Sequence, residues 1–167
     1  PLILTGLAAA TAFRARLWNI GAEGQLYLGA MAAAAASSLL FGSLPPALQI
    51  PLLLVTGALA GMVLLLVPLW LRLRFAVAEV VTTLLLNFVA ILFVSMLIDT
   101  ALKDPMAFGW PQSLPVTESG TLPRLIPRSR LHVGLAIALA LAVVLAFVQA
   151  RTVFGTRARA AGLSPAG

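Results

Sequence analysis

Four long apolar runs dominate the chain: residues 26–44, 51–71, 76–98 and 131–150, which hold 19, 21, 23 and 20 residues. About 20 residues at 1.5 Å each carry an α-helix across roughly 30 Å of hydrocarbon, so each run predicts one membrane-spanning helix. None has the alternating segments of about ten residues that a membrane barrel needs. A fifth run, residues 2–13, is too short to cross alone: it is either half of a broken helix or, the favoured reading, the end of a helix that begins earlier. Gly29, Ala30 and the alanines at 32–36, with the Gly57-x-x-x-Gly61 spacing, offer small-residue surfaces on which helix backbones approach closely. The expected fold class is all-α, a polytopic transmembrane helix bundle forming a single transmembrane domain over 1–167.

Composition narrows the class. The 167 residues are 61% hydrophobic and 10% charged, against about 45–50% and about 25% in a soluble domain. The chain has no cysteine, which removes disulfides and thiolate metal sites. Its net charge of +6 lies in small groups between apolar runs, the pattern of orientation signals, and no nucleic-acid partner is expected. Arg14, Arg16, Arg72, Arg74, Arg151, Arg157 and Arg159 fall on one side of the expected spans; Lys103, Arg124, Arg128 and Arg130 fall on the other. The bias places the short arginine-rich segments in the cytoplasm, including 151–167, and makes 99–130 an extracytoplasmic loop. The chain opens on Pro1 with no basic leader region, so it is expected to be an internal piece of a longer protein.

Five prolines in 99–130 argue against a long helix there. The loop's Phe108 and Trp110 are either anchors at the lipid headgroups or a docking surface for a soluble extracytoplasmic partner. Inside the expected spans, Glu79, Thr83 and Asn87 recur at i, i+4 and i+8 as one polar stripe. Such a stripe faces protein or water rather than lipid, either bonding to a neighbouring helix or lining a pathway. Residues 14–25 are the densest polar cluster at an apolar boundary: Gly21 and Gly24 permit unusual backbone geometry, and Asn19, Glu23 and Gln25 carry polar groups to the next helix. Glycine-containing helix junctions of this kind border substrate pathways in transporters, and an ordinary capped loop looks similar.

One histidine (His132) and five scattered acids make no metal site, triad or carboxylate pair. No phosphate-cradling Gly-x-x-x-x-Gly-Lys-Ser/Thr is present. No catalytic residue, metal or cofactor is therefore expected, and energy has to come from an ion gradient or from another subunit.

Three segments then resemble a known family. Pro1-Leu-Ile-Leu-Thr-Gly-Leu, Phe13-Arg and Trp18-Asn-Ile-Gly-Ala-Glu-Gly-Gln25 form the first; Glu79-Val-Val-Thr-Thr-Leu-Leu-Leu-Asn87 is the second; Thr152-Val-Phe-Gly-Thr-Arg-Ala-Arg-Ala-Ala-Gly-Leu-Ser-Pro165 is the third. In this order they are similar to permease subunits of bacterial ABC importers of the nucleoside and simple-sugar type, in a superfamily shared with ribose and branched-chain amino-acid permeases. The resemblance implies a multi-pass protein of the bacterial inner (plasma) membrane. It implies that Asn19, Glu23, Gln25, Thr83 and Asn87 border the translocation path. It also implies that Phe154, Gly155, Arg157, Arg159, Ala161, Gly162 and Leu163 belong to a coupling element seated on an ATPase subunit. The implied partners are that ABC ATPase, which binds the ATP, a second permease subunit of the same or a different kind, an extracytoplasmic substrate-binding protein and the lipid bilayer. A permease for branched-chain amino acids is the alternative. An ion-coupled secondary transporter is a weaker one, because it needs an ionisable residue deep in a helix and Glu79 lies near an end.

Overall fold

The computed structural model describes residues 2–126, 129 and 131–163. Pro127, Arg128 and Arg130 of the loop, and Ser164, Pro165 and the two residues after them, lie outside the described residues. Among the described residues six α-helices follow one another: α1 (Leu2–Arg14), α2 (Ala22–Leu39), α3 (Pro46–Phe75), α4 (Glu79–Asp99), α5 (Gly134–Arg151) and α6 (Val153–Leu163), with one 3-10 turn at Glu118–Gly120. No strand forms among the described residues; Lys103–Ser113 and Arg124–His132 are isolated antiparallel bridges. By length and composition α3, α4 and α5 can each cross a bilayer, whereas α1 is apolar but shorter. The helices fall into two compact units, Ile20–Thr121 and Pro1–Asn19 with Leu122–Gly167.

The unit Ile20–Thr121 is a packing of α2, α3 and α4. Glycine allows α2 and α3 to meet: a Cβ built on Gly29 would lie 2.7 Å from the Gly57 carbonyl oxygen, and one on Gly57 would lie 3.1 Å from that of Gly29. Small residues at such a crossing let main chain touch main chain, where dispersion forces act without a hydrophobic drive. On α4 the buried residues are Thr83, Asn87, Ala90 and Val94, one face at helical spacing. Most large apolar side chains of α3 and α4, Val63, Leu66, Leu85 and Leu92 among them, remain exposed, as a lipid-bathed surface requires.

The helix bounds differ from the apolar runs in ways that have local causes. The first long run was expected to span 26–44, and α2 starts at Ala22 and stops at Leu39. Its early start is supported by acceptors from α4, described below. It stops because Phe41 N bonds back to the Ala36 oxygen and Leu44 N to the Phe41 oxygen, a turn that hands the chain to Pro45 and Pro46. Pro46 sits in the first turn of α3, where its missing N–H is harmless. At the other end Arg72 and Arg74 lie in the last turn, and Ala76 adopts a left-handed cap (φ 52°) with its N–H on the Arg72 oxygen. Residues 76–78 therefore form a turn rather than the start of the third span, and α4 begins at Glu79. An ion pair between Arg72 Nη1 and Glu79 Oε1 (2.5 Å) closes this tight hairpin, with Phe75 edge-on to Trp70 and beneath the Arg74 guanidinium.

The other unit joins α1, α5 and α6. Gln149 Nε2 of α5 donates to Thr11 Oγ1 of α1 (2.9 Å). The chain breaks between α5 and α6 at Thr152, whose backbone is extended. Gly155 follows in α6, where a Cβ would collide with the Gln149 carbonyl, so only glycine fits this sharp corner. The fourth run, expected over 131–150, becomes helical at Gly134, because residues 131–133 bond to the preceding loop: Leu125 N to the Leu131 oxygen and Val133 N to the Pro123 oxygen.

Candidate functional site

The N-terminus of α2 is where the polar stripe of α4 arrives. Gly21 precedes the helix and supplies no side-chain cap, so the first turn presents N–H groups without intrahelical acceptors. Two side chains of α4 meet this need. Thr83 Oγ1 accepts from Ile20 N (3.3 Å), and Asn87 Oδ1 accepts from Gly24 N at 2.5 Å. Thr83 also donates back along its own helix to the Glu79 oxygen at 2.7 Å. Both stripe residues are buried, Thr83 to 3% and Asn87 to 6% exposure.

Gly24 is required by this arrangement. A Cβ there would stand 2.9 Å from Asn87 Oδ1, 3.0 Å from the Ala90 Cβ and 3.1 Å from the Asn87 Cα. At the next residue of α2, the Gln25 carbonyl oxygen would lie 3.3 Å from a Cβ at Gly61 of α3. The α2 start is thus gripped from two sides, by polar side chains of α4 and by the small-residue surface of α3.

The expected pathway residues separate on this frame. Thr83 and Asn87 converge on the α2 start. Glu23 and Gln25 sit on that same first turn, Glu23 exposed and Gln25 half-buried. Asn19 is half-buried and belongs to the unit Pro1–Asn19. Glu79, at the end of the stripe, is held by Arg72.

The expected coupling residues all lie on α6, with the side chain of Ala161 outside the described set. Phe154, Arg157, Arg159 and Leu163 are exposed. Gly155 and Gly162 are buried against their own chain: a Cβ on Gly162 would lie 2.9 Å from the Arg14 oxygen and 3.2 Å from the Ala15 carbonyl carbon. Bulk at Gly162 therefore meets α1 before it meets any partner.

A second polar cluster was not anticipated from the sequence. Ser37 near the end of α2 and Gln49 at the start of α3 are fully buried. Gln49 Nε2 donates to Thr117 Oγ1 (2.6 Å) and to Ser37 Oγ (3.3 Å), while Thr117 N donates to Ser37 Oγ (3.1 Å). Three segments are tied there: two helix ends and the 113–121 part of the long loop. The signal was a glutamine within the uncharged segment 43–50, with Ser37 six residues before that segment.

Apolar helices whose buried polar groups serve helix ends and a loop clamp define an all-α, multi-pass membrane protein. The model for the family described as "Branched-chain amino acid transport system / permease component" matches residues 1–167, and the chain belongs to that family. It is 36% identical over 165 residues to the guanosine ABC transporter permease protein of Bacillus subtilis, covering 98% of this chain and 47% of that one. It is 37% identical over 168 residues to the glucose ABC transporter permease protein of Haloferax volcanii, covering 93% and 43%. A nucleoside ABC transporter permease protein of Lactococcus lactis is 30% identical over 172 residues, covering 99% and 47%. The chain spans about half the length of these curated relatives. No solved structure matches it significantly. The resemblance drawn from the three motifs holds at the level of the family.

Proposed function

We propose that this chain is part of the membrane-spanning permease subunit of an ATP-driven importer for nucleosides or simple sugars. The observation that carries the reading is similarity along nearly the whole chain to permeases named for guanosine, nucleosides and glucose. In this reading the subunit hydrolyses no ATP and needs no cofactor of its own; an ABC ATPase subunit binds the ATP. A second permease subunit, identical or not, completes the transmembrane part, and an extracytoplasmic binding protein delivers the substrate.

The geometry supports roles for two regions. The α2 start, with Glu23, Gln25, Thr83 and Asn87, would border the path, the hydrogen bonds of Thr83 and Asn87 fixing the backbone on which the other polar groups stand; for Asn19 the same role rests on the family resemblance alone. The exposed face of α6, with Phe154, Arg157, Arg159 and Leu163, would seat on the ATPase. A second reading, import of branched-chain amino acids, is favoured by the description of the matching family. Uptake of labelled guanosine, glucose and leucine by cells with and without the full-length gene separates the two. Loss of guanosine or glucose uptake alone is expected on deletion; loss of leucine uptake alone would overturn the first reading in favour of the second.

A further inference from the structure

Residues 102–114 close into a narrow loop beyond the end of α4. Leu114 N donates to the Leu102 oxygen (3.2 Å) and Asp104 N to the Gln112 oxygen (2.9 Å), around the Lys103–Ser113 bridge. The tip holds Met106, Phe108 and Trp110, exposed to 74%, 93% and 76%. Phe108 has φ 47° and Gly109 φ 93°. A left-handed phenylalanine is strained, and strain of this kind persists where the surroundings or the function hold it. Three large apolar side chains stand exposed at this tip.

We propose that residues 105–111 dip into the lipid headgroup layer beside α4, anchoring the loop to the bilayer through Met106, Phe108 and Trp110. The backbone is prepared for that medium. Pro105 and Pro111 have no N–H, and the N–H groups of Asp104, Met106, Ala107 and Trp110 are bonded within the loop. Donors bonded inside the loop need not be stripped of water when it enters a poorly hydrated region; the Phe108 and Gly109 N–H groups at the tip are left for headgroup oxygens. Between Asp104 and Glu118 the sequence has no ionisable side chain to desolvate, and the Asp104 carboxylate accepts from Met106 N at 2.9 Å. Tryptophan, an apolar ring with one N–H, suits the headgroup level.

The loop also continues a lipid-facing surface. Leu92 and Met96 are exposed on the last two turns of α4, and Leu102 N bonds back to the Leu97 oxygen (2.8 Å), so the loop springs from the end of that helix. At about 3.4 Å per residue, Phe108 stays within roughly 20 Å of Leu102, and the headgroup layer is about 5–8 Å thick. The return limb is held by Thr117 in the Ser37–Gln49 cluster, which leaves the tip as the exposed end of an anchored loop.

The test uses the full-length permease in phosphatidylcholine vesicles with bromine on the acyl chain close to the headgroup. Tryptophan emission is compared between the unchanged protein and Trp110→Phe, and the difference is the Trp110 contribution. Loss of that contribution in brominated vesicles, with little loss on adding acrylamide to plain ones, is expected. Quenching by acrylamide alone would overturn the proposal, as would shielding from both reagents only after a soluble partner is added. A spin label on Met106→Cys, with other cysteines replaced, gives an independent measure: collisions should be more frequent with oxygen than with a water-soluble nickel complex, and the reverse order would refute insertion.

Discussion

Asn87 shows how little of a residue's role its polarity states. In the stripe Glu79–Thr83–Asn87 it is the deep polar group of an apolar helix, open to packing or to a pathway. In the fold its Oδ1 takes the Gly24 N–H, one of the free donors of the α2 start, so an α4 side chain does the work that a local serine or aspartate does at other helix starts. Asn87→Leu removes that acceptor and leaves a buried N–H unpaired, a loss of about 1–3 kcal/mol. Gly24→Ala keeps the acceptor but crowds it, at about 1–3 kcal/mol. Both variants of the full-length protein should insert in the membrane and lose thermal stability in detergent. Unchanged melting in both would mean that this junction contributes nothing to stability.

At the scale of elements, α6 is a helix of two faces. Gly155 and Gly162, seven residues apart, face their own chain, one against the α5 corner and the other against the end of α1. Phe154, Arg157 and Leu163 stay exposed. Stability and docking are therefore expected to separate by face. Gly162→Leu should lower the melting temperature, because the Arg14 oxygen leaves no room for a Cβ. Leu163→Ala should leave melting unchanged and weaken co-purification with the ATPase by about 1–2 kcal/mol, roughly five- to thirty-fold. Undiminished co-purification after changing Phe154, Arg157 and Leu163 together would reduce α6 to a basic helix flank. The α3–α4 hairpin repeats the lesson: Arg72 and Glu79 lie on different helices, and their ion pair exists because Ala76 turns the chain back within three residues.

At the scale of the whole molecule, the arginine bias predicts an orientation that chemical labelling can read. Glu118 lies exposed in the loop beyond α4, and Ala78 lies exposed in the α3–α4 turn. A cysteine at Glu118 should react with a membrane-impermeant maleimide in intact cells, and one at Ala78 only after the membrane is opened. The opposite pattern would reverse the topology and with it the assignment of α6 to the cytoplasm.

The sequence by itself determined the all-α class, the membrane setting and the family. Those rest on the number and length of apolar runs and on local motifs, and each is a property of neighbouring residues along the chain. Helix ends were legible only in part. Leu40, Phe41 and Leu44 are as apolar as the helix before them, and Ala76–Ala78 as apolar as the helices on either side; hydropathy cannot distinguish a turn from a span when both are greasy. The polar stripe was legible as a stripe, since 3.6 residues per turn makes i, i+4 and i+8 neighbours on any helix. Its partner was not, because the Ile20 and Gly24 N–H groups lie more than sixty positions away. The Ser37–Gln49–Thr117 clamp was invisible for the same reason, being made of three polar residues with no common period. Tertiary structure alone decided these pairings, because a hydrogen bond in apolar surroundings is set by which backbones come within reach, and here glycine at positions 24, 29 and 57 sets that distance.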